Sequence, residues 1–252
     1  MQAKIFHYGS ISLIEEPCRS TQFAAMNMAK RSGSILSYDP NLRLPLWPSA
    51  SDAMEGIMSI WDQADIIKIS EEEITFLTGG CDADNDDVIF QKLFHSNLKL
   101  LLVSEGSRGC RYYTKQFHGK VGGIKVKAVD ATGAGDAFVA GFLSNVACDP
   151  DLLMDEKKMR RALRFANVCG ALTVTKRGAI PALPTRDAVL QALPKDAAPK
   201  MPSMLSIEKE GTGTTGWSFM FFTSNHKSLL QHESGRLGSL AAGSRTLEYK
   251  AE

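Results

Sequence analysis

The feature that most constrains this 252-residue chain is an alternation of two textures from residue 1 to about residue 193. Short apolar runs, IFHY at Ile5 to Tyr8, SILSYDP at Ser34 to Pro40, DIIKIS at Asp65 to Ser70 and LKLLLVSEG at Leu98 to Gly106, recur along it. Their near-continuous Ile, Leu and Val content suits parallel strands buried on both faces. Between them lie segments with helical spacing. Thr21 to Arg31 carries Phe23, Ala24, Met26 and Met28. Asp52 to Trp61 carries Met54, Ile57, Met58 and Trp61, with Ser51 or Asp52 as the expected cap, and Val88 to Phe94 is a short third helix. Strand, helix, strand in this order predicts parallel βαβ units and an α/β layer fold.

Beyond Gly109 the texture changes. CRYYT, FHGK and IKVK, within Gly109 to Lys127, are short, alternate in polarity and are joined by Gly-containing turns, which predicts an antiparallel meander. Two long helices are expected next, one from Gly135 or Asp136 to about Val146. The other runs from Asp155 to Thr173, with Met159, Ala162, Leu163, Ala166 and Gly170 along one face. A short helix follows at Arg186 to Leu193. Residues 194–202 are rich in Pro and Lys and read as a linker. In residues 203–252, 19 of 50 positions are Gly, Ser or Thr with no sustained period, which predicts a mostly disordered tail apart from the apolar patch Trp217 to Phe222. Gly211 to Gly216 fits GxGxxG, but no buried strand precedes it, so it reads as a chance match and not as a dinucleotide site.

Composition narrows the function. Lys plus Arg is 29 and Asp plus Glu is 28, a net charge of +1, which argues against a nucleic-acid binder but not against a local basic patch. No apolar run reaches the ~18–20 residues of a membrane-spanning helix. Five cysteines (18, 81, 110, 148 and 169) form no CxxC pair, and the five histidines are scattered. The expectation is free thiols in the cytoplasm and no zinc site. The first residues, MQAKIFHYGS, lack the long apolar core of a signal peptide.

The segment richest in chemistry is VDATGAGDAFVAG, Val129 to Gly141. A strand-like run, IKVKAVD, leads into Gly133-Ala134-Gly135-Asp136, and an apolar helix then begins. Small residues let the backbone approach a ligand closely. The amides from Gly133 to Asp136 would then face outward at the positive end of a helix, where phosphate oxygens bind. Asp136, in the first turn, is placed to accept a proton from a substrate hydroxyl. The plainer alternative is a tight turn followed by an acidic residue common at helix starts.

DATGAGDAFVAG resembles the signature of the ribokinase or pfkB family of carbohydrate kinases. FHYGSISLI, LSYDPNLRLPLWPS, IIKISEEEITFLTG, LKLLLVSEGSRGCRYY, FHGKVGG and TKRGAIPALPT resemble the plant fructokinase branch, in the same order over residues 5–193. The resemblance implies a ribokinase-like three-layer α/β/α fold with a mostly parallel central sheet. It implies phosphorylation of a sugar hydroxyl by ATP, fructose to fructose 6-phosphate being the expected case. Asp136 would be the base, and Gly133, Ala134 and Gly135 would supply the anion hole. Ser70 and Glu73 fall where the family has its NxxE motif, with Asn replaced by Ser; Glu73 would lie in the Mg²⁺ region, unless it is an ordinary acidic helix start. Ser104, Gly106 and Gly109 fall on the nucleotide turn, and Asn167, with Gly170 on the same helix, on the nucleotide pocket. Asp130, Thr132 and Gly178 fall on a site for a monovalent cation such as K⁺. Arg43 in DPNLR is either a phosphate contact or a loop-capping residue.

The chain departs from the family at both ends. The first strands, a Gly-Gly sugar-binding turn, an Asp for sugar hydroxyls and a β lid, all expected upstream of Ile5, have no counterpart in it. It therefore reads as the C-terminal two-thirds of a fructokinase-like enzyme with an unrelated tail. ATP and a hexose are the expected partners, with no nucleic acid and no membrane. Without the lid that mediates dimerisation, a monomer or pairing through an exposed sheet edge is expected. Weak or no sugar kinase activity follows from an incomplete sugar half. The alternative is a non-catalytic nucleotide-binding or regulatory partner of a full-length kinase.

Overall fold

The computed structural model describes residues 3–193. The linker at 194–202, the tail at 203–252 with its patch Trp217 to Phe222, and the GxGxxG match at 211–216 lie outside the described residues.

Six strands form one sheet in sequential order, β1 (Ile5–Tyr8), β2 (Ile35–Tyr38), β3 (Ile66–Ser70), β4 (Leu100–Ser104), β5 (Gly109–Tyr113) and β6 (His118–Gly122). β1 to β4 are parallel, as their apolar runs predict, and β4–β5–β6 is antiparallel. The connections between parallel strands carry α1 (Cys18–Arg31), then α2 (Ala50–Met58), then α3 (Glu71–Leu77) with α4 (Asp86–Leu93). After the meander come α5 (Ala134–Cys148), α6 (Glu156–Thr173) and α7 (Arg186–Ala192).

The period-2 geometry of a strand sends successive side chains to opposite faces, and here each face has its own core. Tyr8, Leu36, Tyr38, Ile67, Ile69, Leu101 and Val103 pack with Met26, Ala53, Ile57 and Ile89 of α1, α2 and α4. Ile66, Leu100, Leu102 and Tyr112 pack with Phe138, Phe142, Leu143, Met159 and Leu163 of α5 and α6. The result is helices, sheet, helices: the three-layer α/β/α arrangement expected.

Four local readings change. α1 starts at Cys18, three residues before Thr21. The cap of α2 is Ser49, whose hydroxyl accepts the Asp52 amide at 3.0 Å, so neither Ser51 nor Asp52 plays that part. Trp61 lies beyond α2 in a 3₁₀ turn, where its indole N–H donates to the Leu93 carbonyl at 3.0 Å. IKVK, Ile124 to Lys127, is not a strand. Lys125, Val126 and Lys127 are exposed, and just beyond them the amides of Val129 and Asp130 donate to the Val174 carbonyl at the end of α6 (2.7 and 3.2 Å). The segment alternates in polarity, but no neighbouring strand offers it a ladder.

Candidate active site

Ligands of open α/β sheets bind beyond the carboxyl ends of the parallel strands. Asp39 follows β2, and Ser70 and Ser104 end β3 and β4, paired with each other in the parallel register. The sheet thus brings Ser70 and Ser104 together, with the Ser104 hydroxyl donating to the Ile69 carbonyl at 3.3 Å.

The GAGD turn folds as its glycines dictate. Gly133 caps α5 with φ +80°, a left-handed conformation that costs other residues about 1–2 kcal/mol. A Cβ there would also sit 2.9 Å from Cβ of Ala179. The Ala134 amide donates to the Ala131 carbonyl at 3.2 Å within the turn. Among the described residues, the Gly135 and Asp136 amides have no acceptor. Two open donors at the positive end of a 15-residue helix are chemically suited to an anion. Asp136 lies beside them, exposed at the third helical position.

Facing this turn is a charged group that the sequence reading did not single out. Lys68 is only 8% exposed, and its Nζ lies 3.1 Å from Asp39 Oδ2. The same Nζ is 3.5 Å from where a Cβ on Gly135 would stand. Burial pulls the Lys68 pKa down, but Asp39, Glu73 and Asp136 together hold it above the ordinary lysine value, so the ammonium is charged. His7 of β1 is held below its ordinary 6.5, mainly because burial strips its water, with Asp39 and Asp136 opposing that shift. Its Nδ1 is 3.1 Å from the Ser37 hydroxyl. The signal was in the strands: His7 in IFHY, Ser37 in ILSY and Lys68 in IIKIS each interrupt an apolar run, and all three fall on the face toward α5.

Glu73 is buried and occupied. Its Oε2 accepts the Ser70 amide (2.7 Å), and Ser70 in turn accepts the Glu73 amide (3.3 Å), a reciprocal cap on α3. Its Oε1 accepts the Leu42 amide at 2.7 Å, pinning the DPNLR loop. Its remaining lone pairs suit contact with a metal through water better than direct ligation. Among the described residues no cluster of three or more His, Cys, Asp or Glu is placed to hold a metal. Arg43 is exposed and donates to the Leu42 carbonyl at 2.9 Å, a loop contact that leaves its other guanidinium donors open.

Asp130, Thr132 and Gly178 do come together. Asp130 Oδ1 accepts the Thr132 amide (2.9 Å) and hydroxyl (2.6 Å), and Oδ2 accepts the Gly178 amide (2.9 Å). These bonds, the Thr132 hydroxyl first, lower the Asp130 pKa to about 2, leaving a fixed negative charge next to the GAGD turn. An ionised carboxylate beside the Thr132 hydroxyl offers oxygen ligands of the kind a hard cation takes.

The other expected residues have structural contacts of their own. Gly106 and Gly109 take positive φ (+55° and +99°), and a Cβ on Gly109 would collide with the Val121 carbonyl of β6. Asn167 spends its amide on the Val121 and Gly122 carbonyls (3.3 and 3.1 Å), tying α6 to β6. Gly170 lets the Ala134 carbonyl approach to 3.2 Å of a would-be Cβ, which sets the GAGD helix against α6.

Polar strand ends, a glycine-capped helix turn with open amides, an adjacent carboxylate and a buried ammonium form a site whose chemistry suits an anionic group. Comparison with known proteins places the chain more closely: residues 1–186 match the pfkB family carbohydrate kinases, and the chain belongs to that family. It is 71% identical over 192 residues to probable fructokinase-7 of Arabidopsis thaliana, covering 76% of this chain and 56% of that protein. To fructokinase-2 of Solanum lycopersicum it is 57% identical over 191 residues, 76% of this chain and 58% of that one. It therefore spans little more than half the length of these relatives. A double mutant of fructokinase from Vibrio cholerae O395, solved with fructose, ADP and potassium ion, superposes with a TM-score of 0.69 at 35% identity, covering 75% of this chain and 60% of that one. Fructokinase from Xylella fastidiosa with bound ATP superposes with a TM-score of 0.67 at 34% identity, covering 75% and 61%.

Proposed function

We propose that this chain carries the ATP-handling half of a sugar kinase of fructokinase type, with Asp136 as the base. The observation that carries the reading is the GAGD turn: two open amides at the start of α5, flanked by the Asp136 carboxylate and the Lys68 ammonium. The Gly135 and Asp136 amides and Lys68 hold the charge on the transferred phosphoryl group, where fixed donors stabilise a transition state without reorganising. Asp136 takes the proton from the attacking sugar hydroxyl as its oxygen bonds to the γ-phosphorus and the bond to ADP breaks. Fructose is the sugar that the relatives' names and the Vibrio cholerae complex favour. Mg²⁺ would supply charge neutralisation on the phosphates, with Glu73 reaching it through water. The Asp130, Thr132 and Gly178 cluster fits K⁺, the ion present in the Vibrio cholerae complex. Five free cysteines fit the cytoplasm, although one relative, 68% identical over 194 residues, is named as chloroplastic.

The test is Asp136→Asn, followed by nucleotide titration and by fructose-dependent ADP release. The expected result is nucleotide affinity within a few-fold of wild type and a transfer rate lower by ~10²–10⁴. Equal transfer by the variant removes Asp136 as base. Nucleotide binding with no transfer by the wild-type chain selects the non-catalytic alternative.

A further inference from the structure

α6 carries a feature that phosphoryl transfer at the GAGD turn does not use. Lys157, Arg160, Arg161 and Arg164 together line a groove of about 230 Å³ on the face of α6 opposite Met159, Ala162, Leu163 and Ala166, which are buried in the core. Helix geometry makes this arrangement unfavourable by itself. Lys157 and Arg161, and Arg160 and Arg164, are four residues apart; Lys157 and Arg160, and Arg161 and Arg164, are three apart. Each is a like-charge neighbour pair. Lys157 is also the second residue of the helix, at its positive end, where cations are disfavoured.

Acidic residues relieve the crowding only in part, Asp155 acting on Arg161 through space without an ion pair. From Lys157 to Arg186 the sequence has eight Lys or Arg and no Asp or Glu. Among the described residues, none of the four lining side chains is in a salt bridge. The nearby carboxylates are engaged elsewhere. Glu156 accepts the Tyr112 hydroxyl at 2.6 Å, Asp155 caps α6 by accepting the Lys158 amide at 3.0 Å, and Asp149 pairs with Lys158 at 2.9 Å. Arg160 is already held in position: its Nη1 lies 2.6 Å from the Tyr112 hydroxyl and its guanidinium 5.7 Å from the centre of that ring. A fixed guanidinium with donors to spare is prepared for an oxyanion.

We propose that this groove is a second anion site, separate from the GAGD turn, for a small molecule carrying two phosphate groups. Seven residues of helix separate Lys157 from Arg164, about 10 Å of rise, which suits two phosphates several ångströms apart better than one. Four cationic side chains match the charge of such a ligand, and guanidinium groups bind phosphate oxygens in pairs. The site stands on α6 alone and does not depend on the kinase reading.

The probe is propane-1,3-diol bisphosphate, titrated calorimetrically into the full chain, with inorganic phosphate as the single-anion comparison. The bisphosphate is expected to bind more tightly than phosphate. R161Q/R164Q is expected to bind it about tenfold more weakly, the scale of losing two charge-assisted contacts. K125Q/K127Q removes the same charge from exposed positions elsewhere and is expected to bind as wild type. Equal binding by R161Q/R164Q, or equal loss in K125Q/K127Q, overturns the site, as does absence of binding by wild type. If R161Q/R164Q loses its helical circular dichroism, Lys157→Gln at the helix start is titrated in its place under the same criteria.

Discussion

Lys68 shows how much one residue can determine at this site. A lysine ammonium in a buried strand is costly unless it is paired, and Asp39 pairs it. Removing one partner strands the other charge. Lys68→Met is expected to destabilise the fold by roughly 3–5 kcal/mol, measured by urea unfolding, whereas K68M/D39L recovers most of that loss because the charges leave together. Phosphoryl transfer would stay impaired in the double variant, since the ammonium facing Gly135 is gone. Recovery of both stability and transfer would show that Lys68 is structural only.

At the scale of elements, the GAGD helix is placed by its fit to α6. Gly141 of α5 faces Cys169 of α6, and a Cβ there would lie 2.7 Å from the Cys169 sulfur. Gly141→Ala is expected to cost about 1–3 kcal/mol from overpacking, less the ~1 kcal/mol gained in helix propensity. Adding Cys169→Ala should return part of it, as thermal unfolding would report. How far these elements could be read from sequence depended on what fixed them. Ile66 to Ser70 and Leu100 to Ser104 were legible because burial on both faces leaves a continuous apolar run. Ile124 to Lys127 misled because alternation records only a strand's own polarity, while a strand also needs a neighbour. The GAGD turn was legible because Gly133 requires a left-handed backbone. Lys68, His7 and Ser37 escaped notice because they come to one face of the sheet, His7 opposite Ser37 and Lys68 level with Asp39, only when three strands distant in sequence are set in register. The local bond from the Ala134 amide to Ala131 is a detail of the turn that composition does not encode.

At the scale of the whole molecule, two histidines among the described residues couple stability to pH between pH 7 and pH 5. Desolvation lowers the pKa of both His7 and His95, so each is favoured neutral in the fold. The unfolded chain takes up those protons near pH 6.5, and the folded one resists until lower pH. Their stabilisation is therefore intact above about pH 6.5 and is lost as pH falls below it toward the folded values. The urea midpoint should drop between pH 7 and pH 5. His7→Gln should flatten part of that slope, and H7Q/H95Q most of it. An unchanged slope in the double variant would assign the effect to other groups.

The central claim is that the open amides of the GAGD turn hold the nucleotide's terminal phosphate. Amide ¹H–¹⁵N spectra recorded as the magnesium complex of β,γ-imido-ATP is added test it directly. The account predicts that Gly135 and Asp136 show the largest downfield amide shifts, with the amides from Lys157 to Arg164 little changed. Saturable binding that leaves Gly135 and Asp136 unmoved would contradict it.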